Sequence, residues 1–275
     1  MLFPEPGAAP LEDVYVDGYT YYGVALMRRP GPDLARGIVT HVPRTEVDPV
    51  LAARQYTIYQ EALASAGWRV CEVEPAPEHP DAVFVEDTVV VCEDLAVLTR
   101  PGAQERRGEV EGVEAVARTL GLRVARIEAP GTLDGGDVLQ VGPTVYVGVG
   151  GRTDAEGAAQ LEQLLKPLGR EVVRVGLGAA LHLKSAVTAL PDGTLVGLPE
   201  LVEADALPPV RRATEERGAH VLPLGGRDVL VSAAAHETIH QLSADRWRVL
   251  PVDISEFEKL EACVTCLSVL IPDRA

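Results

Sequence analysis

The segment "GWRVCEVEP", residues 67–75, decides the fold, because its pattern returns four more times along the chain. Similar segments begin at residues 121, 169, 218 and 245, and they are "GLRVARIEA", "GREVVRVGL", "GAHVLPLGG" and "DRWRVLPVD". Each begins at or near a helix-ending residue such as glycine and continues with the alternation of a strand rich in β-branched residues. The first four copies are spaced by about 50 residues, which indicates a repeat architecture.

Helices and further strands occupy the intervals between these segments. Each of the first four follows a stretch with helical spacing, namely "RQYTIYQEALASAG", "EVEGVEAVARTLG", "AEGAAQLEQLLKPLG" and "PVRRATEERG". Additional strands are predicted in "GIVTHV", "AVFVEDTVVVC", "LHLKSAVTAL" and "CVTCLSVLI". Such units bury their faces only by stacking about an axis, so we favour this over a doubly wound parallel sheet. The sequence predicts an α/β fold, a five-bladed propeller in a single domain over residues 1–275, with residues 1–15 irregular.

Composition and charge restrict the class of partner. The net charge of −16 argues against nucleic acids and anionic membrane surfaces, which require an excess of lysine and arginine, and favours a cationic ligand. No run approaches the roughly 18 apolar residues of a membrane span, and the first ten residues lack a secretory pattern. We therefore expect a cytoplasmic protein without nucleic-acid or membrane partners. The sequence leaves open whether it forms a homo-oligomer.

Four cysteines in a reducing compartment are more often free, metal-bound or catalytic than paired in disulfides. Cys71 and Cys92 lie in apolar runs and are predicted to be buried core residues. Cys263 and Cys266 have Cys-x-x-Cys spacing, but a structural zinc site needs further ligands, and a redox dithiol needs a helix N-terminus. The spacing therefore favours one reactive thiol with a neighbour.

Three carboxylates crowd the stretch "HPDAVFVEDTVVV": Asp81, Glu86 and Asp87. Strand alternation would place Glu86 and Asp87 on opposite faces, directly before a strongly apolar strand. They form either a solvated turn or a pocket for a cation, and a guanidinium suits paired carboxylates best.

Two further stretches combine glycine, acid and histidine. "TLDGGDVLQVG" places two glycines between Asp134 and Asp137, and it predicts a tight turn with glycine at positive φ. "LHLKSAVTAL" places His182 and Lys184 on one face of a short strand. His182 would serve as a proton carrier only if a thiol and a carboxylate lie beside it.

Arginines stand at two junctions between strands and helices. Arg152 precedes a Thr-Asp helix start, and Arg106 lies in a loop after a strand, with Arg100 and Arg107 nearby. Each is either a surface charge or a clamp for a carboxylate.

The stretch "HETIH" matches the zinc-peptidase pattern, with His236 and His240 on one helix face and Glu237 as a base. No downstream Gly-x-x-His supplies a third ligand, although a glutamate at 256, 258 or 261 could. A zinc metallopeptidase is thus a competing hypothesis.

Four stretches taken together resemble the dimethylarginine dimethylaminohydrolases, members of the guanidino-group-modifying (pentein) superfamily: "PDAVFVEDTVVVCEDLAVLTRPGAQERR", "TLDGGDVL", "LHLKSA" and "SEFEKLEACVTCLSVLI". The resemblance implies a five-bladed ββαβ propeller, in agreement with the repeat. It also implies a hydrolase that converts Nω-methylated arginines to L-citrulline and dimethylamine or methylamine, through a thiouronium intermediate on cysteine and without a cofactor.

The same resemblance implies roles for individual residues. Cys266 would be the nucleophile, His182 the general acid and base, and Asp134 the residue that orients the imidazole. The implied substrate-binding set, in which the acids surround the cationic group and two arginines bind the α-carboxylate, is Asp81, Glu86, Asp87, Arg106, Arg152, Leu260 and Glu261. No metal ligand is implied, and zinc bridging Cys266 and His182 would inhibit.

The chain departs from the family pattern in two places. Leu260-Glu261-Ala262 stands where vertebrate members have Val-Asp-Gly, and the loop "MRRPGPDLA" lacks an expected Leu-Pro. Both differences concern side-chain specificity, so arginine deiminase activity stays an alternative, as does a propeller that binds methylarginine without turnover. Oxidation that joins Cys263 to Cys266 would silence the enzyme.

Overall fold

The computed structural model describes residues 22–273, so the expectation that residues 1–15 are irregular lies outside it. Its strands form five three-stranded sheets. In chain order they are β1 (Gly23–Met27), β2 (Trp68–Glu72), β3 (Val89–Cys92), β4 (Leu95–Leu98), β5 (Arg123–Arg126), β6 (Val138–Val141), β7 (Thr144–Val149), β8 (Glu171–Gly176), β9 (Val187–Ala189), β10 (Leu195–Gly197), β11 (Val210–Arg212), β12 (Val221–Gly225), β13 (Asp228–Ser232), β14 (Arg248–Val252) and β15 (Val269–Pro272).

All five sheets share one plan. An inner strand pairs antiparallel with a middle strand, which pairs parallel with an outer strand. The sheets are β15-β1-β2, β3-β4-β5, β6-β7-β8, β9-β10-β11 and β12-β13-β14. The last strand therefore completes the sheet that β1 begins, and this pairing closes the ring. The predicted five-bladed propeller is confirmed.

The helices provide the crossovers that parallel strands require. They are α1 (Pro49–Ser65), α2 (Val113–Thr119), α3 (Ala155–Leu165), α4 (Leu183–Ala186), α5 (His236–Ala244) and α6 (Ser255–Glu258). Helices α1, α2, α3 and α5 each connect a middle strand to an outer strand. Between residues 22 and 273, no helix has the length and apolar character needed to cross a membrane.

The fourth blade differs from the prediction. The stretch "PVRRATEERG" is not a helix, because Val210–Arg212 forms outer strand β11 and only Glu216–Ala219 makes a short helical turn. The repeat segment that begins at residue 218 supplies inner strand β12, whereas the other four copies supply outer strands. The crossover from β10 to β11 uses two single helical turns instead of a helix. This difference explains the irregular spacing of the last repeats.

Helix α1 shows how short sequence signals determine where a helix begins and ends. Asp48 accepts hydrogen bonds from the N–H groups of Val50 and Leu51, and Pro49 occupies the first helical position. The helix ends beside Gly67, whose φ of +86° favours glycine. Tyr56 and Tyr59 on its inner face are buried in the core.

The arrangement of the strands places most of the predicted site residues at one end of the ring. Because all inner strands run in the same sense, the segments that enter them from the preceding outer strands meet at one end of the axis. Those segments contain most of the predicted site residues. Between the inner strands lies a central cavity of about 360 Å³, lined chiefly by apolar side chains.

Candidate active site

Cys266 lies in a tight turn before the last strand. The turn is closed by a hydrogen bond of 3.2 Å from the Cys266 N–H to the carbonyl of Cys263, and β15 begins only at Val269. The expectation that "CVTCLSVLI" is a strand throughout is therefore wrong for its first half. Cys266 is 8% exposed and lines a small cavity, here called the catalytic cavity.

A second thiol and a helix support this turn. The Cys263 Sγ lies 3.4 Å from the Cys266 Sγ, and the Cys263 N–H donates to the Cys266 Sγ at 3.4 Å. The hydroxyl of Tyr59, on α1, donates to the Val264 carbonyl at 2.6 Å. Helix α1 thereby fixes the backbone of the turn that carries Cys266.

The sequence predicts that His182 lies on a strand, and this prediction is wrong. Its backbone is extended, and it directly precedes the helical turn α4. Since α4 rotates successive side chains about its axis, His182 faces the catalytic cavity while Lys184 faces the central cavity. The alternation of "LHLKSA" was too short to distinguish a strand from a single helical turn.

The imidazole of His182 lies between two carboxylates. Its Nε2 is 3.0 Å from Asp134 Oδ2, and its Nδ1 is 3.9 Å from Asp87 Oδ1. Asp134 is completely buried, and its Oδ1 accepts a hydrogen bond of 2.9 Å from the Gly102 N–H. Asp134 therefore lies against the imidazole, and its implied role in orienting the ring stays a prediction.

Glycine is needed at positions 135 and 136 because neighbouring atoms lie close to their Cα atoms, and not because of the φ angle. Neither has positive φ, so the expected turn with glycine at positive φ is wrong. A Cβ on Gly135 would lie 1.9 Å from the Glu86 carbonyl oxygen, and one on Gly136 would lie 2.7 Å from His182 Nδ1. The absence of side chains lets the imidazole approach this backbone.

Asp137 is a site residue that the sequence interpretation missed. Its Oδ1 accepts the Leu183 N–H at 2.9 Å, next to His182, and its Oδ2 accepts the Thr153 hydroxyl at 2.6 Å. The Thr153 oxygen in turn accepts the Asp134 N–H at 3.0 Å. One buried carboxylate therefore connects the backbones of both members of the His182–Asp134 pair. Its place after Gly-Gly was visible in the sequence, but its burial was not.

The acids Glu86 and Asp87 face different spaces, because Val85–Thr88 is a helical turn and not a strand. Asp87 lines the catalytic cavity and accepts the Gly136 N–H at 2.9 Å. Glu86 lines the central cavity, where its carboxylate lies 2.7 Å from Lys184 Nζ and accepts the Thr265 hydroxyl at 2.9 Å. Direct contact between Glu86 and a substrate stays a prediction.

Arg106 is buried, and each of its three side-chain nitrogens has an acceptor. Its Nη1 lies 2.6 Å from Asp87 Oδ2, and its Nε and Nη2 donate to the carboxylate of Glu109. Its Nη2 also donates to the carbonyls of Asp81 and Phe84. Glu109 was not among the predicted residues, and its pairing with Arg106 shows that this arginine fixes Asp87 as well as lining the cavity.

Arg152 is less constrained. Its Nη1 lies 3.9 Å from Asp134 Oδ2, and its side chain is 15% exposed. It lines the catalytic cavity, as do six more of the predicted site residues: Cys266, His182, Asp87, Arg106, Leu260 and Glu261. Asp134 lies behind His182.

The loop of residues 38–42, here called the entry loop, covers one side of the catalytic cavity. It is irregular, so the strand predicted in "GIVTHV" is wrong. Asp81 accepts the Ile38 N–H with both oxygens, at 3.0 and 3.1 Å, and Glu261 accepts from the loop's other end. Ile38 contributes an apolar wall to the cavity.

The charges of the site favour a protonated His182. Burial alone would lower its pKa, but the carboxylates of Asp87, Asp137 and Asp134 outweigh burial and raise the pKa to about 10. Conversely, burial would raise the pKa of Asp87, but His182 and Arg106 hold it well below its usual value. The pair is an imidazolium beside ionised carboxylate at neutral pH.

The thiol of Cys266 is harder to ionise than an ordinary cysteine. Its hydrogen bond with Cys263, its burial, and the charges of Glu86 and Asp87 raise its pKa. An added cation near the sulfur would favour the thiolate.

Within residues 22–273, one group of side chains is arranged closely enough to hold a metal ion: Asp87, Asp134 and His182, with ligand atoms within 4.8 Å of one another. His236 and His240 lie exposed on α5 and belong to no such group in the described chain. The zinc-peptidase pattern therefore lacks a third ligand in this part of the structure.

Comparison with known proteins is consistent with this geometry. The family model described as arginine deiminase matches residues 54–255. An N(G),N(G)-dimethylarginine dimethylaminohydrolase of Streptomyces coelicolor is 53% identical over 246 residues, which cover 89% of this chain and 95% of the relative. The Pseudomonas aeruginosa protein of the same name is 34% identical, covering 88% of this chain and 97% of its own.

A solved structure agrees with both the fold and the family. A mutant of the Pseudomonas aeruginosa enzyme complexed with citrulline superposes with a TM-score of 0.83 at 31% identity, covering 92% of this chain and 100% of that chain.

Proposed function

The chain belongs to the dimethylarginine dimethylaminohydrolases, within the arginine deiminase family, and on this basis we infer that it hydrolyses Nω-methylated arginines to L-citrulline and a methylamine. The observation that carries the mechanism is the convergence of Cys266, His182 and Asp87 on one cavity, with Asp134 hydrogen-bonded to His182. The remaining steps follow from the charges of these groups.

Binding of the substrate prepares the nucleophile. The guanidinium pairs with Asp87, because paired carboxylate and guanidinium make strong charge-assisted hydrogen bonds. Its positive charge offsets the burial and the carboxylates that raise the pKa of Cys266, so in the complex the thiol releases its proton to solvent water. The thiolate then attacks the guanidinium carbon.

His182 delivers the proton that the first half-reaction needs. Because its pKa is raised to about 10, it is protonated at neutral pH and donates its proton to the departing dimethylamine or methylamine. The C–N bond breaks, and a thiouronium remains on Cys266. Asp134 holds the ring in place through both steps.

Water completes the cycle. The now neutral His182 takes a proton from a water molecule, and the hydroxide attacks the thiouronium carbon. Collapse expels the Cys266 thiolate and releases citrulline. The atoms balance as one methylarginine and one water converted to one citrulline and one amine, without a cofactor.

The α-carboxylate of the substrate requires a cationic partner. We assign this role to Arg152, which lines the cavity and whose ion pair within residues 22–273 is a long one, 3.9 Å from Nη1 to Asp134 Oδ2. Arg106, which shares the cavity wall, is a second partner, although its main pairing with Asp87 and Glu109 also positions the guanidinium-binding acid. Asp81, Glu86 and Leu260 stay predicted substrate contacts, and Glu261 stays a predicted member of the binding site.

Citrulline release tests the function directly. The purified protein should release citrulline from asymmetric dimethylarginine and monomethylarginine, and Cys266→Ser should release none while still folding. Arginine as a third substrate distinguishes an arginine deiminase, which would turn it over at a comparable kcat/KM. A methylarginine-binding propeller without turnover would show ligand-dependent stabilisation and no product.

The cysteines and the net charge support a cellular location and a class of partner. We propose a cytoplasmic location, supported by four cysteines that are free in the described chain. The partner is a small-molecule cation, and the net charge of −16 disfavours nucleic acids and anionic membranes.

A further inference from the structure

We propose that Glu261 is a positioning residue that attaches the entry loop over the catalytic cavity and so controls substrate affinity, without itself contacting the substrate's cationic group. The proposal rests on the inferred hydrolase function for the identity of the substrate. The attachment of the loop is a separate physical claim.

The carboxylate of Glu261 is fully engaged by the entry loop. Its Oε1 accepts the backbone N–H groups of Thr40 at 2.7 Å and Val42 at 2.9 Å, and it also accepts the His41 N–H. Its Oε2 accepts the Thr40 hydroxyl at 3.1 Å. Four donors thus surround one carboxylate, in an arrangement of charge-assisted hydrogen bonds. Little acceptor capacity remains for a substrate cation.

The backbone of Glu261 indicates that this contact is enforced by the surrounding structure. Its φ of +64° lies in the left-handed region, which non-glycine residues seldom adopt. Such conformations persist where surrounding contacts fix them, and they concentrate at functional sites. Here the Glu261 N–H bonds to the Glu258 carbonyl, and the side chain is only 5% exposed.

The entry loop has two anchors, both carboxylates. At its start, Asp81 accepts the Ile38 N–H, and at its end Glu261 accepts three consecutive N–H groups. Between these anchors Val39 packs against the hydrophobic core, and residues 40–42 are exposed. Loss of the Glu261 anchor would therefore free the end of the loop while Ile38 stays attached.

The loop matters to the substrate because it narrows the catalytic cavity. Ile38, Glu261 and Cys266 line that cavity, whose volume is about 30 Å³. This space holds only one or two water molecules, far less than a methylarginine needs. The loop must move to admit substrate and return to enclose it, so the strength of its anchor sets how well substrate is retained.

Amide hydrogen exchange and steady-state kinetics test the proposal together. Glu261→Gln keeps the side-chain size and removes the charge, and Glu261→Asp keeps the charge and shortens the reach. Glu258→Gln is the matched control, because its carboxylate pairs with Arg217 and Ser232 and makes no hydrogen bond to the loop. In Glu261→Gln, residues 40–42 should exchange about tenfold faster, as expected for loss of charge-assisted hydrogen bonds.

The kinetic expectation is a rise in KM. Glu261→Gln should raise KM for asymmetric dimethylarginine about tenfold with kcat changed by less than about threefold, since the reacting groups are untouched. Glu261→Asp should fall between it and the wild type, and Glu258→Gln should match the wild type in both measurements.

Two results would overturn the proposal. Unchanged exchange at residues 40–42 in Glu261→Gln would show that this carboxylate does not hold the loop. Faster exchange with unchanged KM, or a loss confined to kcat, would show that the loop's attachment does not set substrate affinity. If the wild type released no citrulline, the inferred function would fail, while the exchange experiment would still decide the attachment.

Discussion

Replacing Asp137 by alanine should impair the enzyme by displacing His182 and Asp134, although Asp137 lies outside the catalytic cavity. Its buried carboxylate accepts the Leu183 N–H and the Thr153 hydroxyl, and Thr153 in turn accepts the Asp134 N–H. Without the carboxylate, the turn that carries His182 and the segment that carries Asp134 lose their shared connection.

The expected size of the effect follows from those hydrogen bonds. Asp137→Ala leaves two buried donors without an acceptor, and each costs about 1–3 kcal/mol. Part of this cost is offset, because burial raises the pKa of Asp137 to about 7 and its ionised form is itself unfavourable there. We expect a net loss of about 2–4 kcal/mol in the free energy of unfolding and about a 10- to 100-fold decrease in kcat.

Urea unfolding and citrulline release measure the two effects separately. Asp137→Asn, which keeps the shape and one acceptor, should lose less stability but still lower kcat. The control is Asp192→Ala, which removes the carboxylate that accepts the Thr194 N–H in the exposed turn between β9 and β10 and should cost at most about 1 kcal/mol without changing kcat. Wild-type kcat in a folded Asp137→Ala protein would refute the positioning role, as would a change confined to KM.

Three more outcomes follow from the described contacts. As pH rises through about 10, kcat/KM should fall because His182 loses its proton, and in Asp134→Asn this fall should move to lower pH because one carboxylate that raises the pKa is gone. Peroxide should join Cys263 to Cys266 in a disulfide, through a sulfenic acid that condenses with loss of water, so that activity is lost and the protein mass falls by about 2 Da. A thiol reductant should restore both, and an activity loss that the reductant does not reverse would contradict this. Arg28→Met should lower the free energy of unfolding in urea by about 2–4 kcal/mol, because the carbonyls of Glu74, Glu109 and Glu111 lose their donor. The same change at Arg29, whose side chain is exposed, should cost little.

The sequence predicted the propeller because its repeat is local. A strand that follows a helix-ending glycine can be recognised within one window, and four of five copies lie on equivalent outer strands. The fourth blade could not be predicted in the same way. Its outer strand is Val210–Arg212, a three-residue segment whose state depends on pairing with β10 rather than on its own composition.

The sequence predicted which residues come together better than it predicted the directions of their side chains. Cys266, His182 and Asp134 come from separate segments, and the structure brings His182 and Asp134 to 3.0 Å. The direction in which side chains point was predicted poorly where single helical turns replace strands, as at Glu86 and Lys184, which face the central cavity. A four-residue window contains too little periodicity to separate these conformations.

The sequence by itself therefore determined the number of repeats and indicated a site rich in carboxylates for a cationic ligand. Both depend on composition and on patterns within short stretches of the chain. Tertiary structure alone decided which partner each carboxylate meets. Asp87 pairs with Arg106, Glu86 with Lys184, and Glu261 with the entry loop. The physical reason is that buried charges must find partners across the ring, and those partners are far apart in the chain.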